Sequence, residues 1–187
     1  FSEQAAMMYA TKCPYDCEYE MFLNITDVIS AVGDGIIDEG IVPLENSIEG
    51  TVTSTVDTLI FDAELYINSE LILSVNQNLM VKKGVCLNDV KKIISHPQGL
   101  AQCRKYIKTT GISETVAVSS TAEAAHIVSQ GKGDTAAIAP KRAAEVYGLD
   151  IIGENIQDDG TNSTRFIVIS KHKPELKSGM RTSIAFT

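Results

Sequence analysis

The stretch DDGTNSTRFIVIS, residues 158–170, holds the densest chemistry in the chain. Thr161, Asn162, Ser163 and Thr164 all carry side chains able to donate hydrogen bonds, and Arg165 follows them into an apolar run that reads as a strand. A guanidinium beside a buried strand needs a partner. That partner is either a ligand carboxylate, which matches the planar fork of arginine, or one of the chain's 24 acids in a structural salt bridge.

Two further polar clusters interrupt apolar segments. In PLENSIEGT, residues 43–51, Glu45, Asn46 and Ser47 fall where a strand should give way to a helix, a position whose free N–H groups favour anions. Asn46-x-x-Glu49 equally fits a simple capping box. In SHPQGLAQCRKY, residues 95–106, Pro97 suits a first helical position, with Ser95 or His96 as cap. Leu100, Cys103 and Ile107 form its core stripe, while Gln98 and Gln102 share a face off that stripe and could bind a polar ligand together with Ser95. His96 reads as a structural hydrogen-bonder and His126 as a packing or surface residue. Lys141 and Arg142 open a helix against its dipole, which makes them candidates for an anion partner, although the face reads as exposed.

These clusters need elements to hold them. Helical patterns and short apolar runs alternate, which predicts an α/β architecture. Helices are expected over 2–10 and 26–33, the latter capped by Thr26, and a short strand GIVPL at 40–44 ended by Pro43. A helix should follow, with Val52, Val56, Leu59 and Ile60 on one face. Residues 65–82 are β-rich. Strands at 92–95, 115–119, 135–139 and 150–156 then alternate with helices from Pro97, from Ser120-x-x-Glu123 and over 140–147. Crossovers near residues 72 and 160 would divide the chain into two lobes with a cleft suited to a ligand; a single doubly wound sheet fits the same periodicity.

Composition narrows the function. The 187 residues are 44% hydrophobic and carry a net charge of −8, which argues against non-specific nucleic-acid binding. No apolar run reaches a membrane span and no signal peptide is visible, so a cytoplasmic protein is expected. Cys13-x₃-Cys17 lacks the second Cys/His pair of a structural zinc site, and the four cysteines read as free thiols. No nucleotide-binding glycine loop or nucleophile elbow is present. Both ends read as cut, the opening as the start of a helix and TSIAFT as a strand stopped as it begins.

GIVPLENSIEGTV, SHPQGLAQC, SSTAEAA and DDGTNSTRFIVIS, in that order, resemble the catalytic domain of prephenate dehydratases. Residues 147–169 are similar to that family's signature: an aromatic residue, spaced apolar positions, an acid at Asp158, then Thr-Arg-Phe. The resemblance implies a two-lobed, periplasmic-binding-protein-like (type II) α/β fold, two subdomains joined by two crossover strands with the active site between them. Residues 1–72 with 163–179 would form the first subdomain and 73–162 the second. Residues 180–187 would be the first strand of a truncated ACT regulatory domain.

The implied activity is that of a hydro-lyase in phenylalanine biosynthesis, converting prephenate to phenylpyruvate, water and carbon dioxide without metal or organic cofactor. Thr164 would hydrogen-bond or protonate the departing hydroxyl, as an oriented donor or relay, and Glu45, if its pKa were raised by burial, could supply the proton. Arg165 would hold a substrate carboxylate. The resemblance also carries substrate binding to Asn46, Ser47, Ser95, Gln102, Thr51, Phe166 and Ser2. It further implies feedback inhibition by L-phenylalanine through the ACT domain, and a homo-oligomer, dimer or tetramer. Arogenate dehydratase is a rival with the same chemistry; a small-anion-binding module without chemistry is a rival of another class.

Overall fold

The computed structural model describes residues 1–174. They form two compact α/β units: Phe1–Ser74 with the segment from Ser163, and Val75–Asn162. The chain therefore passes between units twice, at Ser74/Val75 and at Asn162/Ser163. The expected ACT strand at 180–187, and residues 175–179, lie outside the described residues.

The first unit opens with α1 (Ser2–Ala10) and α2 (Ile25–Asp34). The α2 cap is Asn24, whose side-chain oxygen accepts from the Asp27 N–H at 2.8 Å, so Thr26 lies inside the helix rather than capping it. Strands β1 (Glu39–Asn46), β2 (Gly50–Thr51), β3 (Tyr66–Ser74) and β9 (Ser163–Ser170) form a sheet in the order β2-β1-β9-β3, antiparallel throughout. Gly40 lets α2 press onto β1, since a Cβ there would lie 2.8 Å from Val32 and 2.9 Å from Val28.

Pro43 does not end β1, contrary to the sequence expectation. The ladder with β9 shifts register between Pro43 and Glu45, and the strand continues to Asn46. A bulge accommodates the missing proline N–H. No helix begins at Asn46 either. Residues 47–49 turn the chain back into β2, and the helix starts later as α3 (Thr53–Asp57), loosening into a π-helical turn at Thr58–Asp62. Its buried positions are Thr55 and Thr58, while Ile60 is exposed. Thr55 is buried at no polar cost because its hydroxyl donates to the Pro43 carbonyl at 2.6 Å.

Alternation along β9 builds two cores on opposite faces. Phe166 and Val168 pack with Ala5, Leu71 and Leu73 on the α1 side. Ile167 and Ile169 pack with Ile29, Val32 and Val42 on the α2 side.

The second unit carries β4 (Asn78–Lys82), β5 (Lys92–Ser95), α4 (Pro97–Gln102), α5 (Arg104–Thr110) and β6 (Glu114–Ala117). It continues with α6 (Thr121–Gln130), β7 (Thr135–Ala139), α7 (Lys141–Tyr147) and β8 (Leu149–Gly153). Its sheet runs β6-β5-β7-β4-β8, with β5 parallel to β6 and β7 and β4 antiparallel to β7 and β8. Helices α6 and α7 cover one face and α4 and α5 the other. Every residue of β7 is buried, as a central strand covered on both faces requires. The capping box of α6 is shifted by one. Ser120 accepts from the Glu123 N–H at 3.0 Å, but the Glu123 carboxylate reaches back to Ser119.

Candidate active site

The register of the first sheet sorts the expected site residues into two rows. One row crosses the strands as Thr51, Glu45, Arg165 and Ile72; the next as Gly50, Asn46, Thr164 and Leu73. Because side chains alternate, the rows face opposite sides of the sheet. Thr164 shares its face with Phe166 and Val168, Arg165 with Ile167 and Ile169.

The Thr164 row is sheltered. Asn46 and Leu73, its neighbours on either side, are both buried, each 7% exposed. The Asn46 amide donates to the Thr164 hydroxyl oxygen at 3.0 Å and to the Ser163 carbonyl at 3.3 Å. Its side-chain oxygen accepts from the backbone N–H groups of Ile48 and Glu49 at 3.0 and 3.1 Å. Asn46 therefore caps the β1–β2 turn and orients Thr164 at once. Ser47 locks the same corner, donating its N–H to the Ser163 carbonyl at 2.9 Å and accepting the Ser163 N–H on its hydroxyl at 3.0 Å.

The Arg165 row is open. Glu45 and Thr51 are exposed, and Ile72 is 63% exposed. Glu45 thus lacks the buried setting that a proton-donor role called for, and it faces away from Thr164; that expectation is corrected. Arg165 and Glu70 make the diagonal ion pair the residues had left open. Arg165 Nε donates to Glu70 Oε2 at 2.9 Å, and Nη2 donates to the same oxygen. The sequence reading missed Glu70, although a lone acid amid the apolar β3 residues was its signal.

Three more of the expected site residues are placed as follows. Phe166 is 2% exposed and belongs to the α1-side core, so its ring has no face for a ligand. Ser95 is fully buried and its hydroxyl donates to the Ile138 carbonyl at 2.7 Å, a tie between β5 and β7. Gly99 leaves room for that hydroxyl, since a Cβ there would stand 2.5 Å from it. The α4 cap is His96, whose Nδ1 accepts from the Gln98 N–H at 3.3 Å. Ser2 is the first residue of α1 and is exposed.

Gln102 is the last residue of α4. Both polar atoms of its side chain are buried without a hydrogen-bond partner among the described residues. A buried amide normally has partners. Nearby, Cys103 is fully buried, and burial first, then the Asp158 carboxylate, pushes its thiol up to about 12. All four cysteines are free thiols. No group of three or more His, Cys, Asp or Glu side chains suited to a metal ion occurs among the described residues, nor any helix long and apolar enough to cross a membrane.

These features define an α/β protein of the periplasmic-binding-protein-like class, two units linked by two chain passages. The family model described as prephenate dehydratase matches residues 1–174, and the chain belongs to that family. It is 42% identical over 172 residues to the prephenate dehydratase of Methanocaldococcus jannaschii, covering 91% of this chain and 61% of that protein. It is 36% identical to the arogenate dehydratase/prephenate dehydratase 1 of Arabidopsis thaliana, over all of this chain and 47% of that one. Among solved structures, the prephenate dehydratase of Arthrobacter aurescens in complex with L-Phe aligns with a TM-score of 0.75 at 35% identity, covering 83% of this chain and 53% of that one. The chain thus spans about half to three-fifths of the length of these relatives.

Proposed function

We propose that this chain carries out the decarboxylative dehydration of prephenate. In that reaction the ring carboxylate leaves as carbon dioxide, its bonding electrons enter the ring, and the C–O bond across the ring breaks; the departing oxygen takes up a proton to form water. The observation that carries the reading is the Asn46–Thr164 hydrogen bond in a sheltered row of the sheet. With one lone pair occupied by the Asn46 amide, the Thr164 hydroxyl directs its hydrogen elsewhere, toward an oxygen that gains charge as it departs. Donors fixed in advance at developing charge act most strongly where water is excluded. Threonine is a weak acid, so its part is an oriented hydrogen bond to the leaving oxygen, which takes its proton from bulk solvent after departure.

Arg165 has guanidinium N–H groups beyond those that Glu70 engages, and it takes a substrate carboxylate in this reading. Gln102, in the second unit, is read by itself as a ligand contact, its amide buried without a partner among the described residues. Inhibition by L-phenylalanine through an ACT domain, homo-oligomer formation and a cytoplasmic location belong to the same reading. Of these, L-phenylalanine binding is supported by the L-Phe complex of the Arthrobacter protein.

A second substrate is favoured by a specific observation: the Arabidopsis relative, similar over the whole chain, is named for arogenate as well as prephenate. Supplying each compound and following phenylpyruvate absorbance or phenylalanine formation tests both. Turnover of prephenate supports the proposal; turnover of arogenate alone would replace the substrate; turnover of neither would reduce the chain to a binding module.

A further inference from the structure

We propose that Asp158 is a positioning residue for the Gln102 amide, an inference that rests on reading Gln102 as a ligand contact. Helix α4 ends at Gln102 and α5 begins at Arg104, and between them Cys103 leaves helical geometry with φ −115° and ψ 19°. A break there frees the Gln102 carbonyl from the helical ladder and leaves the first N–H groups of α5 in need of acceptors. Asp158 answers both. Its backbone N–H donates to the Gln102 carbonyl at 2.6 Å, and its two carboxylate oxygens accept from the Lys105 N–H at 3.0 and 3.2 Å.

One residue thus clamps the chain on each side of the break. Cys103, buried between, fixes the third point. The direction of the Gln102 side chain follows from a backbone held this way, and that side chain ends in two buried polar atoms with no partner among the described residues. A long, flexible amide buried without partners has no local bond of its own to hold it, so its aim depends on the clamp. The acid thereby gains a role that its place in the DDG stretch alone did not supply.

Steady-state kinetics with prephenate, and NMR of the Gln102 side-chain NH₂ pair without substrate, test this. Asp158→Ala is expected to shift that NH₂ resonance and to lower kcat/KM about tenfold, as Gln102→Ala does, the size of one lost hydrogen bond. The double variant should fall no further than Gln102→Ala, because the two residues act through one contact. Asp158→Asn keeps both the backbone N–H and a side-chain acceptor, and should restore the resonance and the rate. If Asp158→Ala does not fold, Asp158→Glu, which moves the acceptor by one methylene, also shifts the resonance. A resonance unmoved in these variants, or losses that multiply in the double variant, would overturn the positioning role. Unchanged kcat and KM in Gln102→Ala would instead overturn the ligand role on which the inference rests.

Discussion

The Asn46 side chain holds the Thr164 hydroxyl from its acceptor side, at 3.0 Å across the β1–β9 ladder. The amide can face only one way, because its oxygen is committed to two backbone N–H groups in the turn. Thr164→Ala should therefore lower kcat by about 10²–10³ with little change in KM, the usual cost of removing one fixed donor from a transition state. Asn46→Asp is the sharper test. It keeps the two turn bonds but offers Thr164 an acceptor, drawing the hydroxyl hydrogen to itself, and should lose as much kcat as Thr164→Ala. Normal turnover at saturating prephenate in either variant would remove the oriented-donor role.

Arg165 and Glu70 present a different balance. Their side chains are 35% and 38% exposed, and an ion pair that wet contributes about 0–1 kcal/mol. Stability alone gives little reason for a permanent charge there. Arg165→Leu is expected to leave Tm within a few degrees while raising KM for prephenate about tenfold or more, the loss of a charge-assisted contact. Glu70→Gln, which releases the guanidinium, should leave KM unchanged or lower it. Equal, small effects of both variants on KM would return Arg165 to a purely structural pair.

Much of the second unit was legible in the sequence. KIIS and TAAIA coincide with β5 and β7, because strands covered on both faces read as unbroken apolar runs bounded by polar residues. The turn at Asn46 was not legible, since a side chain that accepts from the second and third following N–H groups serves a hairpin turn as well as a helix start. Glu70 lies 95 residues from Arg165, beyond any local pattern. The divergence of Thr164 and Arg165, by contrast, was available from the period of the strand alone: adjacent residues on β9 cannot share a face.

Cys103 gives the pH dependence. Burial raises its thiol to about 12, above the ordinary value of ~8.5. Between those values the folded chain keeps the proton that the unfolded chain releases, so this residue's contribution is intact at neutral pH and declines as pH rises through the alkaline range. Cys103→Ala should flatten that decline in urea unfolding measured at successive pH values. Alkylation at pH 8 should label exposed Cys86 before Cys103, with Cys103 reacting only as the fold opens. Labelling of Cys103 at the rate of Cys86 would contradict its burial.

Gly99 and Ser95 make a stability prediction independent of substrate. The Ser95 hydroxyl occupies the space into which a Cβ at Gly99 would project, 2.5 Å away, while donating to the Ile138 carbonyl. Gly99→Ala must push that hydroxyl aside or move α4 off β5, and overpacking of this kind costs about 1–3 kcal/mol. Ser95→Ala removes the obstruction along with the bond, so the double variant should be less destabilised than the sum of the singles. Urea midpoints of the four proteins measure this directly. Additive losses would mean that the two side chains do not compete for one space, and that Ser95 is held by something other than the close approach of α4 to the end of β5.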